Sequence, residues 1–236
     1  GLKRMLAVVS AACVVFLAVT ASLGEDAHAD EEKKYIALTF DDGPWPETTE
    51  ALLDGLAERD AKATFFLIGE QIEGMESIIK RMAEEGHQIG NHTYSHTRLD
   101  GAALKSALSE LERTNDALIE VLGEGEYWIR PPWGFASKQL KESVTVPMIH
   151  WSVDTEDWKK LDANAVAEYI LNHVKSGDII LMHDPYSTSV EAALHVVDVL
   201  PEQGYQFVTV QELFQEMGIE PEAGTFYTRP DTLRVG

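Results

Sequence analysis

Five short stretches of the chain carry side chains suited to proton transfer or metal binding, and each follows an apolar run. The first is Thr39-Phe40-Asp41-Asp42-Gly43-Pro44. Adjacent carboxylates before Gly-Pro also suit a plain turn, but two like charges in a cleft call for a positive partner. A cation ligated by one of them would supply that charge and leave the other free as a base. The second stretch is His92-Thr93-Tyr94-Ser95-His96. Its spacing can bring both imidazoles to one side of a helical turn or tight loop, where they could grip one cation. Two His and one carboxylate leave coordination positions open for water and substrate, which is the arrangement of a catalytic metal site rather than a structural one. In Arg130-Pro131-Pro132-Trp133-Gly134 the double Pro stops a strand and holds an extended turn. Arg130 is either the exposed residue of a rigid loop or a group that reaches into a cleft and keeps a carboxylate ionised. The Trp133 amide is a candidate oxyanion donor. The last two stretches are Val153-Asp154-Thr155-Glu156-Asp157-Trp158 and Ile179-Ile180-Leu181-Met182-His183-Asp184. A lone His after an apolar strand is more often structural, but polar groups of the right kind at five strand ends make coincidence a poor account.

The elements that must position these groups follow from hydrophobic periodicity. Short apolar runs at 35–40, 63–68, 88–91, 127–130, 147–153, 178–182 and 206–210 read as strands. Helical spacing occupies 47–59, 75–86, 100–122, 136–143, 162–175, 189–201 and 211–217. Leu104, Leu108, Leu111, Leu118 and Leu122 mark one face of the third helix. Seven strand-then-helix units predict an α/β fold with an all-parallel sheet. Such units can close into a barrel whose chemistry gathers at the strand ends. An open doubly wound sheet is the alternative, but the first strand is followed by Asp41-Asp42-Gly43-Pro44 rather than a Gly-rich phosphate loop. The stretch 218–236 reads as an irregular tail.

Composition narrows the partners. The 236 residues carry 19 Lys plus Arg against 40 Asp plus Glu, a net charge of −21. Such a surface repels nucleic-acid phosphate and anionic lipid, so nucleic-acid binding is set aside. The basic Lys3-Arg4, the apolar 5–23 and Ala27-His28-Ala29 form the three-part pattern of a secretory signal peptide. Cleavage after Ala29 is favoured over retention as a membrane anchor. The expected division is a leader, 1–29, and a catalytic domain, 30–236, that is secreted or extracytoplasmic with no stable membrane partner. The single cysteine, Cys13, falls in that leader, so cysteine catalysis and Cys-ligated zinc are excluded from the mature chain. Any metal must be held by His, Asp or Glu.

Taken in order, the five stretches resemble the five motifs of the polysaccharide deacetylases, carbohydrate esterase family 4. The resemblance runs from about residue 34 to 217 and implies a distorted (β/α) barrel of about seven parallel strands with outer helices. It implies that Asp42, His92 and His96 hold one divalent cation, zinc in the first place, with cobalt, nickel or another metal as alternatives. Asp41 would be the general base for the attacking water and His183 the general acid for the leaving amine. Arg130 would orient and tune Asp41, and Asp157 would do the same for His183. The cation and the Trp133 N–H would stabilise the oxyanion, and Trp158 and Leu181 would line the acetyl pocket. The family's third motif more often has Tyr where this chain has Trp133. His87, His150, His173 and His195 are assigned structural or surface roles. Trp45, Tyr94, Trp133 and Trp158 are candidates for stacking on sugar rings, and short loops suggest an open groove suited to polymers. The implied activity is removal of N-acetyl groups from N-acetylglucosamine units of peptidoglycan or a chitin-like oligosaccharide. An acetyl xylan O-deacetylase and a non-catalytic carbohydrate-binding protein are the alternatives.

Overall fold

In the computed structural model the described residues are 33–234, so the expected leader, 1–29, lies outside them. Strand and helix alternate along the chain, beginning with β1 (Lys34–Asp41), α1 (Pro46–Glu58), β2 (Thr64–Leu67), α2 (Glu76–Glu84), β3 (Gln88–Asn91) and α3 (Leu104–Leu122). Next come α4 (Lys138–Lys141), β4 (Met148–Ile149), β5 (Val153–Asp154), α5 (Asp157–Lys160), α6 (Ala163–His173) and β6 (Ile179–His183). The chain then forms α7 (Ser187–Val199), β7 (Tyr205–Phe207), α8 (Val210–Glu216), β8 (Phe226–Arg229) and β9 (Thr232–Leu233). Among the described residues no helix is long and apolar enough to cross a membrane.

The sheet runs β3-β2-β1-β6-β5 with every pair parallel, and β7 pairs with the first residues of β1. Single parallel bridges, Asn91 to Ile129 and Ile129 to Met148, carry the pairing from β3 to β4. The ring then returns through 150–152 to β5 and β6, giving the expected distorted α/β barrel. A parallel arrangement puts all the strand C-termini on one face, so residues distant in sequence meet there.

The strands at 127–130 and 147–153 differ from their expected form. The segment ending at Arg130 is paired only through Ile129, although Asn91 N–H donates to Trp128 O (2.8 Å) and Arg130 N–H to Asn91 O (2.9 Å). Pro131 and Pro132 follow at once and have no N–H to extend the ladder. The segment 147–153 is split into β4 and β5 because it changes partners. His150 N–H donates to Tyr227 O (2.7 Å), whereas Ser152 N–H donates to Ile179 O (2.9 Å). The tail is not irregular throughout: β8 lies parallel to β4 and pairs antiparallel with β9. The β-rich Thr225-Phe226-Tyr227-Thr228 carries this strand, with both aromatic residues buried.

Local sequence explains the main elements. The last six residues of β1 are all buried, as a central parallel strand covered on both faces requires. Pro46 opens α1, where a missing N–H costs nothing. Asp162 caps α6 by accepting from Ala165 N–H (3.0 Å), and Thr209 with Glu212 forms a capping box on α8. Of the leucine face on α3, Leu111 and Leu118 are buried, while Leu104, Leu108 and Leu122 pack against the core partly exposed. Fully burying one such side chain stabilises by roughly 1.5–3 kcal/mol, so these faces fix how the helices sit on the barrel and hence where the strand ends point.

Candidate active site

The strand ends bring the expected site residues together around a cavity of about 440 Å³ lined by Asp41, Asp42, His92, His96, Trp133, Trp158, Leu181 and His183. Arg130 and Asp157 lie behind the wall, buried at 0% and 1% exposure, each bonded to one of the lining groups. Asp41 and His183 are register partners at the ends of the adjacent strands β1 and β6, which is why groups 142 positions apart in sequence face one cleft.

Asp41 is buried and bonded through Oδ1 to Arg130 Nη1 (2.9 Å). The guanidinium also donates to Thr39 Oγ1 (2.6 Å), Ile149 O (3.3 Å) and His150 O (2.8 Å), and it lies 4.2 Å from the Phe66 ring centroid. Burial lowers the Arg130 pKa, and Asp41 works against that shift. The buried charge is therefore paired and its donors are directed to acceptors, the condition under which an internal ion pair is tolerated. Of the two readings of Arg130 left open by sequence, the exposed loop residue is not the one observed.

Asp42 follows at φ 72°, a left-handed conformation that turns its side chain away from the line of β1. His92 and His96 sit in a tight loop, not a helix, with Thr93 at φ 67° and His96 at φ 55°. Asn91 anchors that loop by donating from Nδ2 to Leu111 O (2.9 Å) and accepting from Thr93 N–H (2.9 Å). Glu110 on α3 accepts from the N–H groups of Tyr94 (3.1 Å) and Ser95 (2.8 Å). His92 Nδ1 lies 2.6 Å from Arg130 O. A carbonyl only accepts, so Nδ1 carries the proton and Nε2 presents its lone pair when the ring is neutral.

One ligand atom from each of Asp42, His92 and His96 lies within 4.8 Å of the others. The two Nε2 atoms are 3.4 and 3.3 Å from Asp42 Oδ1 but poorly aligned for hydrogen bonds, leaving this buried oxygen without a hydrogen-bond partner. An orphaned carboxylate oxygen facing two imidazole nitrogens is the donor set of a divalent cation. Burial works to raise the Asp42 pKa, but the surrounding imidazoles of His92, His183 and His96 hold it down to about 2. Burial and the neighbouring His92 lower the pKa of His96, favouring the neutral form a metal ligand needs. The residues thus fit a cation, and their chemistry does not select among zinc, cobalt and nickel.

At the end of β6, His183 Nδ1 meets Asp157 Oδ1 at 2.8 Å. Asp157 Oδ2 accepts from the His183 N–H (2.7 Å) and the Ser189 hydroxyl (2.6 Å), so the carboxylate clamps the ring and its own main chain. Burial pushes the His183 pKa down, but Asp157, followed by Asp41 and Asp42, outweighs it and raises the value to about 9. Burial also opposes ionisation of Asp157, yet His183 and Ser189 hold its pKa below the usual carboxylate range. The pair is therefore imidazolium and carboxylate at neutral pH.

Trp133 is half-exposed at φ 56°, with its ring centroid 4.4 Å from that of His96. Trp158 is half-exposed and Leu181 buried, and both line the cavity. Trp45 and Tyr94, also offered as sugar platforms, do not line the cavity; Tyr94 instead lies beneath Arg113, 3.5 Å from its ring centroid. Among the other histidines, His173 and His195 are exposed, and His87 and His150 are buried. His150 contributes its carbonyl to Arg130, and its ring leaves no room for a side chain at Gly134, where a Cβ would lie 2.3 Å from Nε2.

Phe135, Trp151, Asp154 and Tyr186 also line the cavity, and sequence reasoning assigned them no role. Nor did it assign Ser189 or Asp184, which lie behind the wall. A polar residue within a few positions of an expected site residue was the available signal for Asp154, Asp184 and Ser189. The aromatic groups become part of the site only when the barrel closes.

The fold and site define a barrel whose cavity brings together a triad able to ligate a metal, an Arg-braced carboxylate and an Asp-braced imidazole. A profile of the polysaccharide deacetylase family matches residues 28–146. The chain is 39% identical over 190 residues to a Bacillus cereus peptidoglycan-N-acetylglucosamine deacetylase, covering 78% of this chain and 69% of that protein. It is 38% identical over 192 residues to the Bacillus subtilis peptidoglycan-N-acetylmuramic acid deacetylase PdaC, covering 81% of this chain and 41% of PdaC. The chain thus spans about two fifths of that longer relative's length. A family 4 acetyl xylan esterase from Clostridium thermocellum, in complex with cobalt, superposes with a TM-score of 0.79 at 31% identity, covering 83% of this chain and 98% of that one. The chain belongs to the polysaccharide deacetylase family.

Proposed function

We propose that the protein is a metal-dependent N-deacetylase of N-acetylglucosamine units in a polysaccharide, either peptidoglycan or a chitin-like oligosaccharide, acting outside the cytoplasm after removal of the leader 1–29. The observation that carries the reading is that Arg-braced Asp41 and Asp157-braced His183 line one cavity together with the Asp42, His92 and His96 donor set. Names of relatives, peptidoglycan deacetylases at 38–39% identity, support the substrate class.

When bound, the cation supplies Lewis-acid polarisation of the acetyl carbonyl and acidifies water. Asp42, His92 and His96 hold it. Asp41, kept in place by Arg130, takes a proton from water as its oxygen bonds to the carbonyl carbon. The Trp133 N–H donates a hydrogen bond to the developing oxyanion. His183 enters as imidazolium and gives its proton to the amide nitrogen as the C–N bond breaks, releasing acetate and a sugar amine. An amide nitrogen is a poor leaving group until it is protonated, so the elevated pKa of His183 matters to this step. Trp158 and Leu181 enclose the acetyl methyl. The half-exposed rings of Trp133 and Trp158 suit stacking against sugar faces.

A second reading, O-deacetylation of acetylated xylan, is favoured by the structural likeness to the acetyl xylan esterase. Acetate release by the purified protein, stripped of metal and reloaded with zinc or cobalt, separates the two. Metal-restored release from chitooligosaccharide or peptidoglycan supports the N-deacetylase, and release from acetylated xylan alone supports the esterase. No release from any of the three, with one metal bound per chain, would replace both with a carbohydrate-binding role.

A further inference from the structure

Asp184 has no part in the mechanism above, yet it is fully buried immediately after His183. Its Oδ2 accepts from the Thr49 hydroxyl, and Thr49 Oγ1 in turn accepts from Trp45 N–H (2.8 Å). Thr49 is fully buried as well. Asp184 Oδ1 is buried without a hydrogen-bond partner. Unpartnered buried oxygens are uncommon because they forgo solvation without replacement, so the position of this one is informative.

The carboxyl packs directly against Gly43, the residue after the metal ligand Asp42. A Cβ on Gly43 would lie 2.5 Å from Asp184 Oδ2, 2.6 Å from Oδ1 and 2.9 Å from Cγ. Gly43 does not occupy the left-handed region, so it is required for room and not for backbone freedom. The same turn is held from its other sides. Ile68 N–H donates to Gly43 O (3.0 Å). The Gln71 amide, with its nitrogen toward the turn, donates to Asp42 O (2.9 Å) and Pro44 O (3.2 Å). Asp42 itself is at φ 72°, a conformation that persists in a non-Gly residue only when its surroundings hold it.

We propose that Asp184 is a positioning residue for the metal-binding turn: anchored by Thr49, its carboxyl packs against Gly43 and fixes the main chain that aims Asp42 at His92 and His96. The inference rests on reading Asp42, His92 and His96 as metal ligands. It links the strand that carries the acid to the turn that carries the metal ligand and base, through Thr49 in the first turn of α1. Groups one step removed from a metal commonly change its affinity about 10–100-fold when lost.

The test measures zinc affinity by competition with a chromophoric chelator and records the absorption spectrum of the cobalt-loaded protein. Asp184→Ala and Thr49→Val are each expected to weaken zinc binding by about tenfold or more and to alter the cobalt bands. Asp184→Asn keeps an oxygen for Thr49 and should stay closer to wild type than Asp184→Ala. Gly43→Ala should weaken binding alone, but less so in an Asp184→Ala background, where the methyl can take the space the carboxyl leaves. Wild-type affinity and cobalt bands in folded Asp184→Ala would overturn the proposal, as would strictly additive penalties in the Gly43→Ala/Asp184→Ala pair. If Asp184→Ala fails to fold, Thr49→Val decides, and unchanged affinity there overturns it. A wild-type protein that binds zinc but releases no acetate, alongside the expected variant losses, supports the positioning role while removing the deacetylase reading.

Discussion

Replacing Asp157 by Asn isolates the pair that prepares His183 to donate a proton. In the wild-type protein Asp157 overcomes the effect of burial and raises the His183 pKa to about 9. Without the carboxylate charge, burial opposes the imidazolium with less compensation, and a value at or below the unperturbed ~6.5 is expected. A loss of about 2.5 pH units corresponds to roughly 3 kcal/mol of preference for the charged ring. The sign follows from the role: an acid is active while protonated, so activity is full below the His183 pKa and falls as pH rises through it. At pH 7 the protonated fraction drops from nearly complete to about a quarter, and at pH 8 from about nine tenths to about three hundredths. The loss from protonation alone is thus about fourfold at pH 7 and about thirtyfold at pH 8. A bound cation lowers both pKa values, so the diagnostic quantity is the separation between the two alkaline limbs. The assay is kcat for acetate release from pH 5.5 to 9.5 with zinc saturating. Asn can keep a hydrogen bond to the ring, which limits the contribution of lost orientation. A uniform loss at every pH, with both alkaline limbs superimposed, would refute the argument that Asp157 acts by holding the proton on His183.

Metal content and turnover should separate by residue. His92→Ala is expected to lose both, whereas His183→Ala and Asp41→Asn should retain about one metal per chain by elemental analysis and lose kcat; full activity in either of the latter would move the acid or base role elsewhere. Arg130→Met should destabilise the fold by about 3–5 kcal/mol in urea unfolding, because Asp41 is left buried beside the unpaired carbonyls of Ile149 and His150. A change below about 1 kcal/mol would show that the guanidinium contributes little to holding the barrel together.

Much of the barrel was legible because parallel strands leave a strong local trace. The run ending at Asp41 is apolar because both faces are covered, and the same logic applies at 64–67 and 179–183. The pattern failed where pairing is governed by distant partners. Residues 147–153 read as one strand because nothing local records that His150 bonds to Tyr227 and Ser152 to Ile179. The tail read as irregular because Pro221, Gly224 and Pro230 dominate its local signal, while β8 forms only against β4.

The site divides along the same line. Residue types and spacing were enough to nominate Asp41, Asp42, His92, His96, Arg130 and His183, because metal ligation and proton transfer draw on few side chains and the strand ends supply the places for them. Asp157 was singled out from its acidic neighbours Asp154 and Glu156 only by the family resemblance. Sequence also left either Asp free to be ligand or base. The tertiary structure distinguishes their surroundings: Asp41 is bonded to Arg130, with its other oxygen 3.6 Å from His92, whereas Asp42, in a left-handed conformation, faces both imidazoles and has no Arg partner among the described residues. It also decides what sits behind each functional group, such as the Asp184 carboxyl against Gly43 and the Ser189 hydroxyl on Asp157. Local propensity and chemistry are written along the chain, but burial and charge proximity depend on which strand ends become neighbours, and barrel closure determines that.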